Sequence, residues 1–157
     1  MLAEWGCNVV GIDISEDMVE KARTLLPPQF ESKVRFERAD VHVASFDSAS
    51  FDLIISKQVA CHFYDPLQVF DNWKRWLKDK GKIAIIDGLW SRQGWTNESL
   101  IDELPLSCTQ TRGTLTYLLK SAGFVIEQSH WLDHVNKYLN TVQQNQRYVV
   151  VAGKRST

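Results

Sequence analysis

The chain has 157 residues, 44% hydrophobic and 24% charged, with 18 Lys+Arg against 19 Asp+Glu and a formal net charge of −1. That is the size of a single domain, 1–157, large enough to bury a core without a disulfide or metal staple. The balanced charge argues against a nucleic-acid binder or a polybasic membrane anchor, and no apolar run approaches the roughly 20 residues of a membrane span. The start, MLAEWGCNVVGIDIS, lacks the basic-then-apolar layout of a secretory signal. Cys7, Cys61 and Cys108 are far apart, without CxxC or metal-ligand spacing, which predicts reduced thiols in a cytoplasmic protein.

LAEWG reads as the last turn of a helix, with Gly6 at the left-handed cap. NVVGIDIS follows as a buried strand. Ser15 caps the next helix, and Glu16 and Asp17 suit its positive end. Met18, Ala22, Leu25 and Leu26 recur at helical spacing, which predicts one buried face, and Pro27 and Pro28 stop the helix. VRFERADV is a strand with Val34, Phe36 and Arg38 on one side. Residues 42–50 are a polar loop around Phe46. FDLIIS is a strand apolar on both faces, and QVACHFYD is irregular.

Asp65 and Pro66 open a helix as cap and first residue. Leu67, Phe70, Trp73 and Leu77 line its face, Lys78 and Lys80 suit its negative end, and Gly81 ends it. KIAIIDG is a buried strand. Residues 89–108 hold a short helix, NESLIDEL, capped by Asn97. Thr109 or Thr111 opens a helix with Leu115, Leu118, Leu119 and Ala122 inward, closed by Gly123. FVIEQSHWL and RYVVVAGKR are the last strands, joined by residues 133–146.

Apolar strands alternating with amphipathic helices predict an α/β fold: a Rossmann-like, mostly parallel sheet with helices on both faces. The last two strands lack a clear intervening helix and are expected as an antiparallel edge pair. Ligands bind such sheets beyond the carboxyl ends of the strands, which puts Asp13, Asp40, Ser56, Lys57 and Asp87 on the functional rim.

GIDISEDMVEKAR, RADV, SFDLIISKQVACHFYDP and WLKDKGKIAIIDG, in this order, resemble segments of the class I S-adenosylmethionine-dependent methyltransferases, in the small-molecule, type-11-like branch. The resemblance implies S-adenosylmethionine as cofactor. Asp13 matches the carboxylate that holds both ribose hydroxyls, a role suited to its two acceptor oxygens. Ile14 and Met18 match the side chains that pack on adenine. Asp40 matches the acceptor for the adenine amino group, with the Val41 backbone N–H toward a ring nitrogen. Ser56 and Lys57 match the loop under the methionine end, through backbone.

The family also has a first strand and a Gly-rich loop, roughly GxGxG, before its first helix, and this sequence starts after both. Taken with the resemblance, that predicts an N-terminally incomplete sheet, completed by a dimer partner or a strand from another chain, and weak or absent cofactor binding by this stretch alone.

Methyl transfer needs alignment of donor and acceptor, and a base only where the acceptor must lose a proton. His62, in the loop after the fourth family strand, is the candidate base. Trp90 and Trp95, with Arg92 or Arg112 meeting an anionic group, are candidates for the small-molecule acceptor pocket. His130 and His134 have no third metal ligand in evidence. Two alternatives share this pattern: a non-catalytic methyltransferase-like binding module, and a fragment of a nicotinamide-dependent oxidoreductase, in which a carboxylate after the second strand also holds ribose.

Overall fold

The computed structural model describes residues 2–92, 95–140 and 145–154. Parts of the 89–108 and 133–146 segments (93–94 and 141–144), and the last residue of RYVVVAGKR, lie outside the described residues. The chain divides into two compact units, Met1–Ser45 and Phe46–Thr157.

In the first unit a 3-10 turn, Leu2–Trp5, is closed by Gly6 at φ +85°, the conformation expected of the cap. Strand β1 (Val9–Asp13), helix α1 (Glu16–Thr24) and strand β2 (Val34–Arg38) follow. β1 and β2 are parallel, in register from Val9 opposite Val34 to Asp13 opposite Arg38. Their carboxyl ends therefore lie side by side. The Ser15 hydroxyl accepts from the Met18 N–H at 3.4 Å, as its capping role requires. At the other end of α1, Arg23 pairs with Glu20 and donates to the Phe36 carbonyl at 2.7 Å, tying helix to strand.

The buried face expected on α1 is corrected. Val19 is the buried residue, at 2% exposure, while Met18 and Leu25 are 52% and 70% exposed. Val19 lies about 100° around the helix from Met18, so packing Val19 inward turns the Met18 side out.

The second unit contains β3 (Phe51–Lys57), α2 (Pro66–Trp76), β4 (Leu77–Gly88), α3 (Gly113–Ser121), β5 (Phe124–Trp131), α4 (Asp133–Tyr138) and β6 (Arg147–Lys154). Its sheet runs β3-β4-β6-β5. β3 and β4 are parallel, and β6 is antiparallel to both β4 and β5, giving the expected antiparallel edge pair. The Asp65 carboxylate accepts from the Gln68 N–H at 3.0 Å, with Pro66 as first helical residue of α2. Phe63, Phe70 and Trp73 pack edge to face or tilted, with centroids 5.7–6.3 Å apart, in a core shared with Ile83, Ile85 and Val150.

Three expectations are corrected in this unit. Helix α2 ends at Trp76, not Gly81, because Leu77 turns extended and pairs with Phe51, while Lys78 reaches Asp52 at 2.7 Å. Leu67 is exposed, its inward place being taken by Val69. β3 is not buried on both faces: Leu53 and Ile55 are exposed, consistent with its place at the end of the sheet order. Helix α4, unforeseen because its sequence is polar, is tied to β6 by the Asn136 side chain. Its amide donates to the Arg147 carbonyl (2.9 Å) and its oxygen accepts the Arg147 N–H (2.6 Å).

Candidate functional site

In the first unit, Asp13 ends β1 and Asp40 stands two residues past the end of β2. The Ala39 N–H donates to the Asp13 carbonyl at 2.9 Å and holds the two strand ends together. Each carboxylate is half used. Asp13 Oδ1 accepts from the Ser15 N–H at 2.9 Å, and Oδ2 has no partner among the described residues. Asp40 Oδ1 accepts from both the His42 N–H (2.9 Å) and His42 Nδ1 (2.8 Å), and again Oδ2 is unengaged. The Val41 N–H donates to no described residue. Ile14 and Met18 are 65% and 52% exposed beside them in sequence.

Burial alone would raise the Asp40 carboxyl, but the His42 backbone N–H, its ring N–H and its charge outweigh that and hold Asp40 below its ordinary range. Asp40 is therefore an ionised, acceptor-only group at neutral pH. Among the described residues, the unit thus offers two free carboxylate oxygens, a free backbone donor and two uncovered apolar side chains.

In the second unit, Ser56 and Lys57 end β3, Asp87 lies near the same end of parallel β4, and His62 closes the short 3-10 turn Ala60–His62. Ser56 is buried with no partner for its hydroxyl among the described residues, and Lys57 is exposed. His62 is exposed, its ring 5.1 Å from that of Trp95 in an edge contact. Asp87 faces inward rather than toward solvent, at 2% exposure. Its Oδ1 accepts from the Gly88 N–H (2.8 Å) and Trp90 Nε1 (2.7 Å), while Oδ2 lacks a partner among the described residues.

Burial pushes the Asp87 carboxyl up, against the pull of Trp90, the Gly88 and Cys61 backbone N–H groups and the Arg147 charge. A raised carboxylate pKa means that the folded state holds its proton longer than the unfolded chain does. Stability is then lost as pH rises from the ordinary carboxylate range through the raised value. Asp87→Asn removes that loss, so its melting temperature relative to wild type should be more favourable at pH 8 than at pH 4. Paired thermal melts check this; a difference independent of pH would contradict it.

Burial, then the Asp87 charge, push the neighbouring Cys61 thiol up to about 12. Cys7 and Cys108 are exposed. Alkylation of the folded protein with iodoacetamide at pH 8 should therefore modify Cys7 and Cys108 and spare Cys61 until denaturant is added, as peptide mass mapping would show. Rapid labelling of Cys61 in the native protein would contradict its burial.

A cavity of about 930 Å³ in the second unit is lined by Trp90, Arg92, Thr109, Arg112, Trp131 and Gln146, among others. Trp95 is not among its lining residues; it turns away, its indole N–H donating to the Ser107 carbonyl at 3.0 Å. Arg92 is paired with Asp102 at 3.3 Å. The Arg112 guanidinium lies 4.6 Å over the Trp131 ring, with no carboxylate partner and a buried, unbonded Nη1 among the described residues. Sequence reasoning missed His42, the burial of Asp87 beside Cys61 and the Arg112–Trp131 stack. Asp87 was marked only as a strand end, and the burial and contacts that define these groups have no signal in the sequence.

A family model described as a methyltransferase domain matches residues 1–85. Phosphoethanolamine N-methyltransferase 1 of Zea mays is 30% identical over 150 residues, 92% of this chain and 28% of that protein. Phosphoethanolamine N-methyltransferase 2 of Caenorhabditis elegans is 33% identical over 82 residues, 52% of this chain and 19% of that protein. The chain thus spans under a third of the length of these curated relatives. Among solved structures, a SAM-dependent methyltransferase from Methanosarcina mazei aligns over 99% of this chain and 86% of its own, with TM-score 0.73 and 20% identity. The Haemonchus contortus phosphoethanolamine N-methyltransferase 2, solved with phosphomonomethylethanolamine and S-adenosylhomocysteine, aligns over 98% of this chain and 45% of its own, with TM-score 0.73 and 18% identity. Both likenesses give the fold, an α/β Rossmann-like arrangement.

Proposed function

The chain belongs to the type-11 branch of the class I S-adenosylmethionine-dependent methyltransferases, and on that premise we propose that it transfers a methyl group from S-adenosylmethionine to a small-molecule acceptor. The observation that carries the reading is the pair of half-used carboxylates at the ends of β1 and β2. A nucleoside with a vicinal diol and an exocyclic amine offers donors, and Asp13 and Asp40 offer acceptors. The free Val41 N–H suits a ring nitrogen, and Ile14 and Met18, exposed despite their apolar character, suit a purine face. These residues therefore fit an adenosine cofactor. A nicotinamide dinucleotide has no comparable support, since the matching family is a methyltransferase domain.

When bound, S-adenosylmethionine supplies a sulfonium methyl group ready for in-line displacement. The chain's own residues bind, orient and exclude water. Asp13 holds the ribose hydroxyls, Asp40 and Val41 hold adenine, and Ile14 and Met18 cover its face. Ser56 and Lys57 contribute backbone at the end of β3. His62 takes a proton from an acceptor that must lose one. Residues 1–157 contain no GxGxG segment, so the backbone contacts such a loop makes are not among those this stretch supplies.

For the acceptor we propose a small phosphorylated or otherwise anionic amine in the cavity of the second unit. Arg112, with no carboxylate partner among the described residues, supports an anionic group, and the curated relatives are named for phosphoethanolamine. The test is transfer of labelled methyl groups to phosphoethanolamine by the protein as its gene encodes it. Label in the product supports the reading. No label in phosphoethanolamine or in a panel of small amines overturns it.

A further inference from the structure

We propose that His42 is the positioning residue that fixes which oxygen of Asp40 faces the adenine amino group, an inference that rests on the cofactor reading above. An aspartate after a strand commonly accepts its own turn's N–H, and the His42 N–H to Asp40 Oδ1 contact at 2.9 Å is such a turn. The second contact is not part of that turn. His42 Nδ1 lies 2.8 Å from the same oxygen, with its side chain only 4% exposed. An ionised carboxylate only accepts, so Nδ1 carries the hydrogen. Two donors on Oδ1 pin the carboxylate plane and leave Oδ2, on a side chain 28% exposed, as the oxygen available to a ligand.

The consequence is specificity. A pinned acceptor favours an amino group and repels a carbonyl at the same position of the purine. S-adenosylhomocysteine and S-inosylhomocysteine differ there in just this way. The wild-type protein, as its gene encodes it, should prefer the adenine compound about 10- to 100-fold by calorimetry, in line with one charge-assisted hydrogen bond.

Asp40→Asn is the decisive variant. If His42 holds the side-chain oxygen at Oδ1, the new amide nitrogen must face the ligand, and the preference inverts toward the inosine compound. An Asp40→Asn protein that still prefers adenine, or shows no preference, overturns the proposal, because the amide is then free to flip. His42→Asn and His42→Gln give a second reading. The shorter amide places its nitrogen where Nδ1 was, and the longer one does not. His42→Asn should keep the preference, and His42→Gln should reduce it to within about threefold, the preference lying in that one hydrogen bond. If both keep it, His42 is structural only, whatever happens to the affinities themselves. If Asp40→Asn binds neither compound, the His42 pair decides. If the wild-type protein binds neither, the cofactor reading fails, and this inference with it.

Discussion

Asp13→Asn should lower the affinity for S-adenosylhomocysteine about 10- to 100-fold, the equivalent of one hydrogen bond to a charged group at roughly 1.5–3 kcal/mol. The substitution is nearly isosteric. The amide oxygen can still accept the Ser15 N–H that Asp13 Oδ1 accepts at 2.9 Å, so the turn into α1 is kept. What changes is the other atom. In the wild-type chain Oδ2 has no partner among the described residues, and in the proposed cofactor site it would accept from a ribose hydroxyl. The amide puts a donor there instead. Stability should therefore move by no more than about 0.5 kcal/mol, as for a surface change that keeps its local hydrogen bond. Calorimetric titration with parallel thermal melts separates the two effects. Unchanged affinity would remove Asp13 from the site.

Phe70→Ala should destabilise the protein by about 3–5 kcal/mol, the usual result of truncating a buried aromatic. Phe70 is 0% exposed and sits against Phe63 and Trp73. The loss is a large part of a typical net stability of about 5–15 kcal/mol, and for a chain of this size it lowers the melting temperature by roughly 10 °C or more. Leu67→Ala, one turn earlier on α2, is the control. Leu67 is 43% exposed, so its truncation should cost under about 1 kcal/mol. Equal effects would mean that α2 presents a different face to the core.

The contrast between Leu67 and Phe70 shows where the sequence was legible. Helix starts were read from local chemistry, and Ser15 and Asp65 cap as their side chains require. Strands were read from apolar runs, and the antiparallel pairing of β5 and β6 from the lack of a clear helical pattern between them, although the short α4 lies there. Which side of an element is covered is set by distant neighbours. Met18, Leu25 and Leu67 were therefore misplaced, as were Leu53 and Ile55 on β3. The end of α2 was misread because the Leu77–Phe51 pairing joins residues far apart in sequence.

The candidate site divides the same way. Asp13 and Asp40 were legible as candidates because each follows an apolar strand, and each keeps one oxygen without a partner among the described residues. His42 was not visible, because its value lies in burial and in a 2.8 Å contact that no spacing announces. Asp87 was visible as a strand end, but its inward orientation and its contact with Trp90 depend on how the following loop packs.

The most direct measurement is a calorimetric titration of the protein, as its gene encodes it, with S-adenosylhomocysteine and, separately, with NAD. Saturable binding of the former at one site per chain, with none of the latter, is the expected result. Saturable binding of NAD without binding of S-adenosylhomocysteine would contradict the assignment of Asp13 and Asp40 to a methyltransferase cofactor.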